Sequence, residues 1–442
     1  MIPLSTRRNG FGAASPVTIH ASVLTVTALN ALSTQPRSSA TSQKPSTCLL
    51  SDSTIQDPHS AVELVDSNHR LAEVVQSAAR LTRVAFDLEA NGFHRYPERI
   101  CLIQLALPGA SYLIDPLAIS DPGPLGKLLA DPGVEIILHS GDYDVRSLDR
   151  EWGFRINALF DTSIAAAFLG ASRLGLATVL QEYLGIDLDK SKRLQRADWT
   201  IRPLTLELRE YAAADVAHLV RVRDLFADEL SKLSRLEWVA EECLRLSKVT
   251  FNPPDPQWAF ASIKGSRDLD GQGLAVLYSL HQFRIQEAIR SDRPPFKVLP
   301  DGLLLSLAAN PNSELSTTRG LGRFSYPPGV HRLRAALRAG IDTPPLKRPR
   351  PQSNNSERLG PEERRTVDQR LRHLKAWRTG MGDRLGLDAA LIWPAVSLQR
   401  LARYPDRLDE EFASSEVRSW QRREAGDSIR AFLATLSSNV PD

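Results

Sequence analysis

Apolar residues run almost unbroken from Val84 to Leu88, and two carboxylates, Asp87 and Glu89, interrupt the second half of the run. Side chains alternate across a strand, so Asp87 and Glu89 share one face while Phe86 and Leu88 turn to the other. Two acids brought together on one strand face repel each other unless a cation stands between them. A D-x-E pair taken alone also suits a strand that runs out into solvent with acids at its end. Further carboxylates downstream decide between the two readings.

Upstream, Ser67 is placed to cap a helix carrying Leu71, Val74 and Val75. Downstream, residues 100–107 and 111–114 read as strands joined by the turn Pro108-Gly109-Ala110, so three strands with short connections predict an antiparallel meander. A short helix over 124–129 leads to a fourth apolar strand, 134–138. From there strands and helices alternate, with 176–184 and 206–230 helical by periodicity. A meander followed by such alternation is an α/β fold with a mixed sheet.

Pro253, Pro254 and Pro256 end this domain, and beyond them the chain repeats itself. Leu277, Leu280 and Phe283-Arg284 recur 94 positions later as Leu371, Leu374 and Trp377-Arg378. The same spacing carries Pro300 to Pro394, Leu304 to Leu398, Leu307-Ala308 to Leu401-Ala402 and Pro311 to Pro405. This predicts two copies of a small all-α domain. Between them, 344–360 is rich in Pro, Ser and Asn and reads as a linker, with Lys347, Arg348 and Arg350 clustered in it. The expected boundaries are 61–235 for the α/β domain, 236–262 for a connector, 263–342 and 367–438 for the repeats, and 343–366 for the linker.

Residues 1–60 are rich in Ser, Thr, Ala and Pro, with no acid before Asp52. That suits a disordered or over-extended N-terminus, or, being Ser-rich, Arg-bearing and acid-poor, an organellar transit peptide. The formal net charge of +3 is too small to announce a nucleic-acid binder, so any electrostatic argument is local. Cys48, Cys101 and Cys243 stand far apart without C-x-x-C spacing, which argues against a disulfide framework or a zinc site and fits a reducing compartment. No apolar run reaches membrane-spanning length. The expectation is a cytoplasmic monomer, or an organellar one if residues 1–60 act as a transit peptide, with no membrane and no obligate protein partner.

The fourth strand ends in His139-Ser140-Gly141-Asp142-Tyr143-Asp144 and continues as a helix through Val145, Leu148 and Trp152. In α/β sheets the carboxyl ends of strands face the crevice where ligands bind. Either aspartate suits a helix N-cap; if Asp142 or an earlier residue is the cap, Asp144 is free for another role. Further on, Tyr211 and Asp215 stand one turn apart on a helix whose Leu208, Val216, Leu219 and Val220 predict burial. A Tyr–Asp pair on a helix is more often a surface pair, but a buried unpaired aspartate is costly. Four acids, Asp87, Glu89, Asp144 and Asp215, therefore come from three elements. Hard oxygen ligands in that number suit Mg²⁺ or Mn²⁺, and two such ions serve phosphodiester hydrolysis.

The words FDLEANGFHRYPERICLIQLA, HSGDYDVRSL, FDTSIAAAFLG, ADWTIRPL and YAAADVAHL resemble the DEDD superfamily of 3′–5′ exonucleases, in the subclass with tyrosine in the last motif. Within it they are most similar to the bacterial ribonuclease D family, and the helical repeats resemble HRDC domains. The resemblance spans about 61–433. It implies a ribonuclease-H-like (DnaQ-like) exonuclease domain followed by two HRDC-like domains. It further implies two divalent ions per site, Mg²⁺ or Mn²⁺, and an RNA substrate: precursor tRNAs and other small RNAs, trimmed to release 5′-mononucleotides.

Carried over residue by residue, Asp87, Glu89 and Asp215 hold the ion that activates water. Asp87 bridges to the second ion with Asp144 in support, and Tyr211 orients or helps deprotonate the water. Leu88 stands where the family often has threonine, with its side chain turned away from the acids. Gln104, His139, Trp199 and Arg202 are candidate substrate contacts, the last two as planes that stack on unpaired bases. Structural roles compete at each: an internal hydrogen bond for Gln104, a strand-end role for His139, core packing for Trp199. Asp161-Thr162 reads as a helix start with one of the pair capping, or as part of the cleft lining. Arg332, Arg334, Arg338, Lys347, Arg348 and Arg350 suit a solvated face or, beside a polyanion, phosphate tracking. A DNA-directed exonuclease and an inactive RNA-binding scaffold are the alternative functions.

Overall fold

The computed structural model describes residues 61–189, 191–348 and 359–438. The expectations placed on 1–60 and on Arg350 lie outside them. The chain begins with β1 (Ala61–Val65) and α1 (Asn68–Ala78), whose Ser67 hydroxyl accepts the Arg70 N–H as expected. The meander follows as β2 (Arg83–Ala90), β3 (Ile100–Leu107) and β4 (Ala110–Ile114). Then come α2 (Gly123–Leu129), β5 (Glu135–Leu138), α3 (Asp142–Trp152), β6 (Leu159–Asp161) and α4 (Thr162–Phe168). The strands form one six-stranded mixed sheet in the order β1-β4-β3-β2-β5-β6. Pairing is antiparallel within β2-β3-β4 and parallel at β1-β4, β2-β5 and β5-β6.

Alternation along β2 builds two cores. Val84, Phe86 and Leu88 pack with Leu105, Ile136, Val74, Leu125 and Leu148 beneath α1, α2 and α3. Ala85 turns to the other face with Ala106, Ile137 and Phe160. That face is covered by α5 (Leu176–Leu184), the short α6 (Lys192–Gln195), α7 (Leu206–Ala217), α8 (Leu219–Lys232) and α9 (Leu236–Ser247). The single helix expected over 206–230 is two, broken at His218. Residues 236–247, expected as connector, form α9 instead, and Trp238, Val239 and Cys243 are buried in the sheet's core.

The first repeat comprises α10 (Gly271–Ser291), α11 (Pro295–Val298), α12 (Asp301–Ala309) and α13 (Gly329–Asp342). The second comprises α14 (Pro361–Leu385), α15 (Ala389–Ile392), α16 (Ala395–Arg403), α17 (Leu408–Ala413) and α18 (Ser419–Ser438). The helix starts Pro295 and Ala389 keep the 94-residue spacing, as do Asp301 and Ala395. A hydrogen bond keeps it too: Arg284 donates to the Leu299 carbonyl (3.3 Å), and Arg378 to that of Trp393 (3.2 Å). Among the described residues no helix is long and apolar enough to cross a membrane.

Candidate active site

The carboxyl ends of β2 and β5 meet the N-terminus of α3 and the middle of α7. Asp87 and Glu89 project from β2 toward the face covered by α7, since Leu102 and Leu113, on that same face by register, pack against Tyr211 and Ala212. Asp144 is buried in the first turn of α3. Asp142 takes neither the cap nor a buried place: Gly141 is the cap residue, and Asp142 accepts from Arg146 at the surface. Tyr211 and Asp215 are buried on α7, with the tyrosine hydroxyl hydrogen-bonded to Asp215.

These acids feel one another. Burial, and then the charges of Asp144, Asp215 and Glu89, push the Asp87 carboxyl well above the usual carboxylate range. Burial pushes Asp144 up to about 7, against the pull of the backbone N–H groups of Asp144 and Leu88, with Asp161 adding to the push. Burial, then Asp215, Glu89 and Asp87, raise the Tyr211 hydroxyl, so it stands as a neutral donor. Such a set fits a hard divalent cation in donor chemistry, because the acids are all oxygen donors and a counter-charge offsets the cost of ionising Asp87 among them. Among the described residues no three such side chains are already drawn to ligand spacing, so the set is a cluster of neighbours rather than a closed cage.

The loop after β5 is held from β6. Asp161 accepts N–H bonds from Ser140 (3.1 Å), Gly141 (2.8 Å), Ser163 (2.8 Å) and Ile164 (3.2 Å), which ties the starts of α3 and α4 to one carboxylate. Ser140 adopts a left-handed φ of 63°, and a Cβ on Gly141 would stand 2.6 Å from Leu138 Cδ1. The turn is therefore strained and tight, and Asp161 fixes it.

The expected substrate contacts divide differently. Trp199 is fully buried against Leu102, Leu113 and Tyr211, so it presents no face to a base. Arg202 is a structural clamp: its Nε and one terminal nitrogen grip Asp115 (2.5 and 2.8 Å), and it donates to the carbonyls of Trp199 (2.7 Å) and Cys101 (2.8 Å). These bonds use the N–H edge of the guanidinium and give Arg202 an internal anchoring role. The His139 ring nitrogens lie 2.8 Å from Thr162 Oγ1 and from the Leu174 carbonyl, a strand-end role. Gln104 is buried opposite Asp87, and its amide makes no hydrogen bond with the described residues.

Two residues escaped the sequence reading. Phe93, on the loop leaving β2, is half exposed, and the Arg196 guanidinium stands 5.8 Å from its ring centre. His94 Nε2 lies 2.7 Å from the Arg196 carbonyl, which joins the two segments. An aromatic residue stranded among polar neighbours four positions after Glu89 was the available signal. In the first repeat Arg332 is taken up by buried Glu287 (2.9 Å), and in the linker Arg348 donates to the Ser266 carbonyl, so neither is a loose phosphate contact. Arg334 lies 3.7 Å from Glu314; Arg338 and Lys347 are exposed.

Residues 62–231 match a family model described as a 3′–5′ exonuclease. A ribonuclease D of Xanthomonas oryzae is 30% identical over 269 residues, 60% of this chain and 73% of that protein. The chain belongs to the ribonuclease D family. A ribonuclease D of Desulfotalea psychrophila is 29% identical over 348 residues, 76% of this chain and 90% of that protein. The crystal structure of Escherichia coli RNase D superposes with a TM-score of 0.62 at 26% identity, covering 84% of this chain and 98% of that one. The chain is accordingly a 3′–5′ exoribonuclease with a ribonuclease-H-like domain and a helical C-terminal region, and exonucleases of this family depend on divalent metal. The DNA-directed and inactive-scaffold alternatives are not favoured.

Proposed function

We propose that this ribonuclease D-family enzyme trims the 3′ ends of precursor tRNAs and other small structured RNAs, releasing 5′-mononucleotides one at a time. The observation that carries the reading is the convergence of Glu89, Asp144 and Asp215 on Asp87, with the Tyr211 hydroxyl bonded to Asp215 beside them. Asp87, Glu89 and Asp215 would hold one divalent ion, and Asp87 with Asp144 a second, either Mg²⁺ or Mn²⁺. Two such ions, when bound, lower the pKa of water and stabilise the attacking and leaving oxygens of the phosphodiester. The Tyr211 hydroxyl, hydrogen-bonded to Asp215, orients the attacking water or helps to deprotonate it. The exposed face of Phe93, backed by Arg196, offers a stacking plane for an unpaired 3′-terminal base. Arg338 on the first HRDC-like domain and Lys347 at the start of the linker after it extend a basic path for the RNA body. The enzyme works as a cytoplasmic monomer in this reading.

Full-length protein mixed with a 3′-extended tRNA precursor and Mg²⁺ or Mn²⁺, beside a DNA oligonucleotide of matched sequence, tests the proposal on a denaturing gel. The expected result is stepwise 3′ shortening of the RNA that chelation abolishes. Shortening of the DNA alone, or shortening that persists in Asp87→Ala, overturns it.

A further inference from the structure

Gln104 stands in the middle of β3, fully buried, and among the described residues neither Oε1 nor Nε2 has a hydrogen-bond partner. A primary amide brings two donors and an acceptor with two lone pairs. Leaving one buried and unpaired costs about 1–3 kcal/mol, and an unpaired buried group in a native chain calls for an explanation. Register shows what lies beside it. Across β4 its partner is Leu113, an apolar side chain packed with Trp199 and Ala212. Across β2 its partner is Asp87. Directly opposed residues of an antiparallel pair share a face with Cβ atoms about 5 Å apart, within reach of an amide on a side chain as long as glutamine's.

An apolar residue at position 104 would fill the same space without the penalty of an orphaned amide. What an apolar residue cannot do is donate to a carboxylate that must stay charged out of water. Carboxylates that ligate metals are themselves hydrogen-bonded by neighbours that fix their orientation, and loss of such a neighbour lowers metal affinity or activity about 10–100-fold.

We infer that Gln104 is a positioning residue for the exonuclease site: its side-chain N–H donates to the Asp87 carboxylate in the metal-loaded enzyme and fixes how that group is presented. This rests on the assignment of Asp87 as a metal ligand. Gln104 touches neither metal nor RNA and acts through Asp87.

Calorimetric titration of Mn²⁺ into the full-length protein without RNA, paired with melting of the metal-free protein, tests it in wild type, Gln104→Leu, Gln104→Met, Asp87→Asn and the Gln104→Leu/Asp87→Asn double variant. The expected result is Mn²⁺ binding weakened about 10–100-fold in both Gln104 variants, with no further loss when Gln104→Leu is added to Asp87→Asn. The metal-free melting temperature holds or rises, and turnover at saturating RNA recovers as Mn²⁺ is raised. Unchanged Mn²⁺ affinity in both Gln104 variants overturns the inference while leaving the site intact. So does a metal-free melting temperature that falls in both, which marks a packing role. Asp87→Asn binding Mn²⁺ as the wild type does removes the metal-ligand assignment itself, and the inference with it.

Discussion

The Asp161 carboxylate accepts the Gly141 N–H at 2.8 Å across twenty residues of sequence, and with it the start of α3 that carries Asp144. The same carboxylate caps α4 through Ser163 and Ile164. Asp161→Ala removes both supports at once. Each lost cap costs about 0.5–2 kcal/mol, so a total near 2–3 kcal/mol is expected in urea unfolding. The Ser140 turn, freed of its restraint, no longer fixes Asp144. Exonuclease activity at a temperature where the variant stays folded should fall at least tenfold, because misplacement by about 1 Å is enough for losses of this order. Activity equal to wild type would show that Asp144 is positioned without Asp161.

Trp238 of α9 and Trp420 of α18 stack with ring centres 4.7 Å apart, and Phe168 stands edge-on to both. Arg418 reinforces the contact by donating to Glu242 at 2.7 Å. The second repeat thus shares a core with the exonuclease sheet. Trp420→Ala should cost about 3–5 kcal/mol, the range for deleting a buried aromatic side chain. Limited proteolysis is expected to release α14 to α18 before it cuts the sheet, and unfolding of the whole chain in one step without such release contradicts this.

Glu287 is buried in the first repeat among Arg332, Arg290 and Arg323. Burial pushes its carboxyl up, but the Arg332 and Arg290 guanidiniums outweigh that and hold it below the usual carboxylate range. A carboxylate with a depressed folded-state pKa gives stability that is complete above its unfolded value, about 4.3, and is lost as pH falls through the folded value. Glu287→Gln should therefore destabilise by about 1–3 kcal/mol at pH 7, with the difference from wild type shrinking as pH falls below about 4. Urea midpoints for both proteins across pH 3–7 measure it, and a difference that does not change with pH would place the effect in packing instead.

The sequence reading found what periodicity encodes. Alternation around Asp87 located the central strand, turn residues located the meander, and an ungapped spacing located the repeats. It missed β1 and β6 because a five-residue and a three-residue strand are too short for alternation to stand out, and both are specified by parallel pairing with distant partners. The break at His218 escaped because apolar periodicity runs on through it. At the site, the acids were legible because their chemistry has few bland uses together. Trp199 was not, since stacking and core aromatics share the same residue types, and only its burial against Leu102 and Leu113, far off in sequence, tells them apart. The opposition of Gln104 and Asp87 exists only in the strand register.

Asp87 sits among three acids that each raise the free energy of its charged form, so its presence should lower the stability of the metal-free chain. Asp87→Asn keeps the shape and removes one negative charge. The metal-free variant is therefore expected to melt at a higher temperature than wild type, as strained functional groups commonly do when neutralised. Its activity should move the other way. In the proposed assignment Asp87 is shared between two ions, so its loss forfeits several kcal/mol of transition-state charge stabilisation, equivalent to a rate loss of about two to three orders of magnitude or more. Asp144→Asn, at the support of one ion only, should retain more activity than Asp87→Asn. Melting curves without metal and single-turnover trimming with Mn²⁺ test both halves. A metal-free melting temperature lowered in Asp87→Asn would mean that the carboxylate is stabilised by contacts its neighbours do not reveal. Greater activity in Asp87→Asn than in Asp144→Asn would move the bridging role away from Asp87.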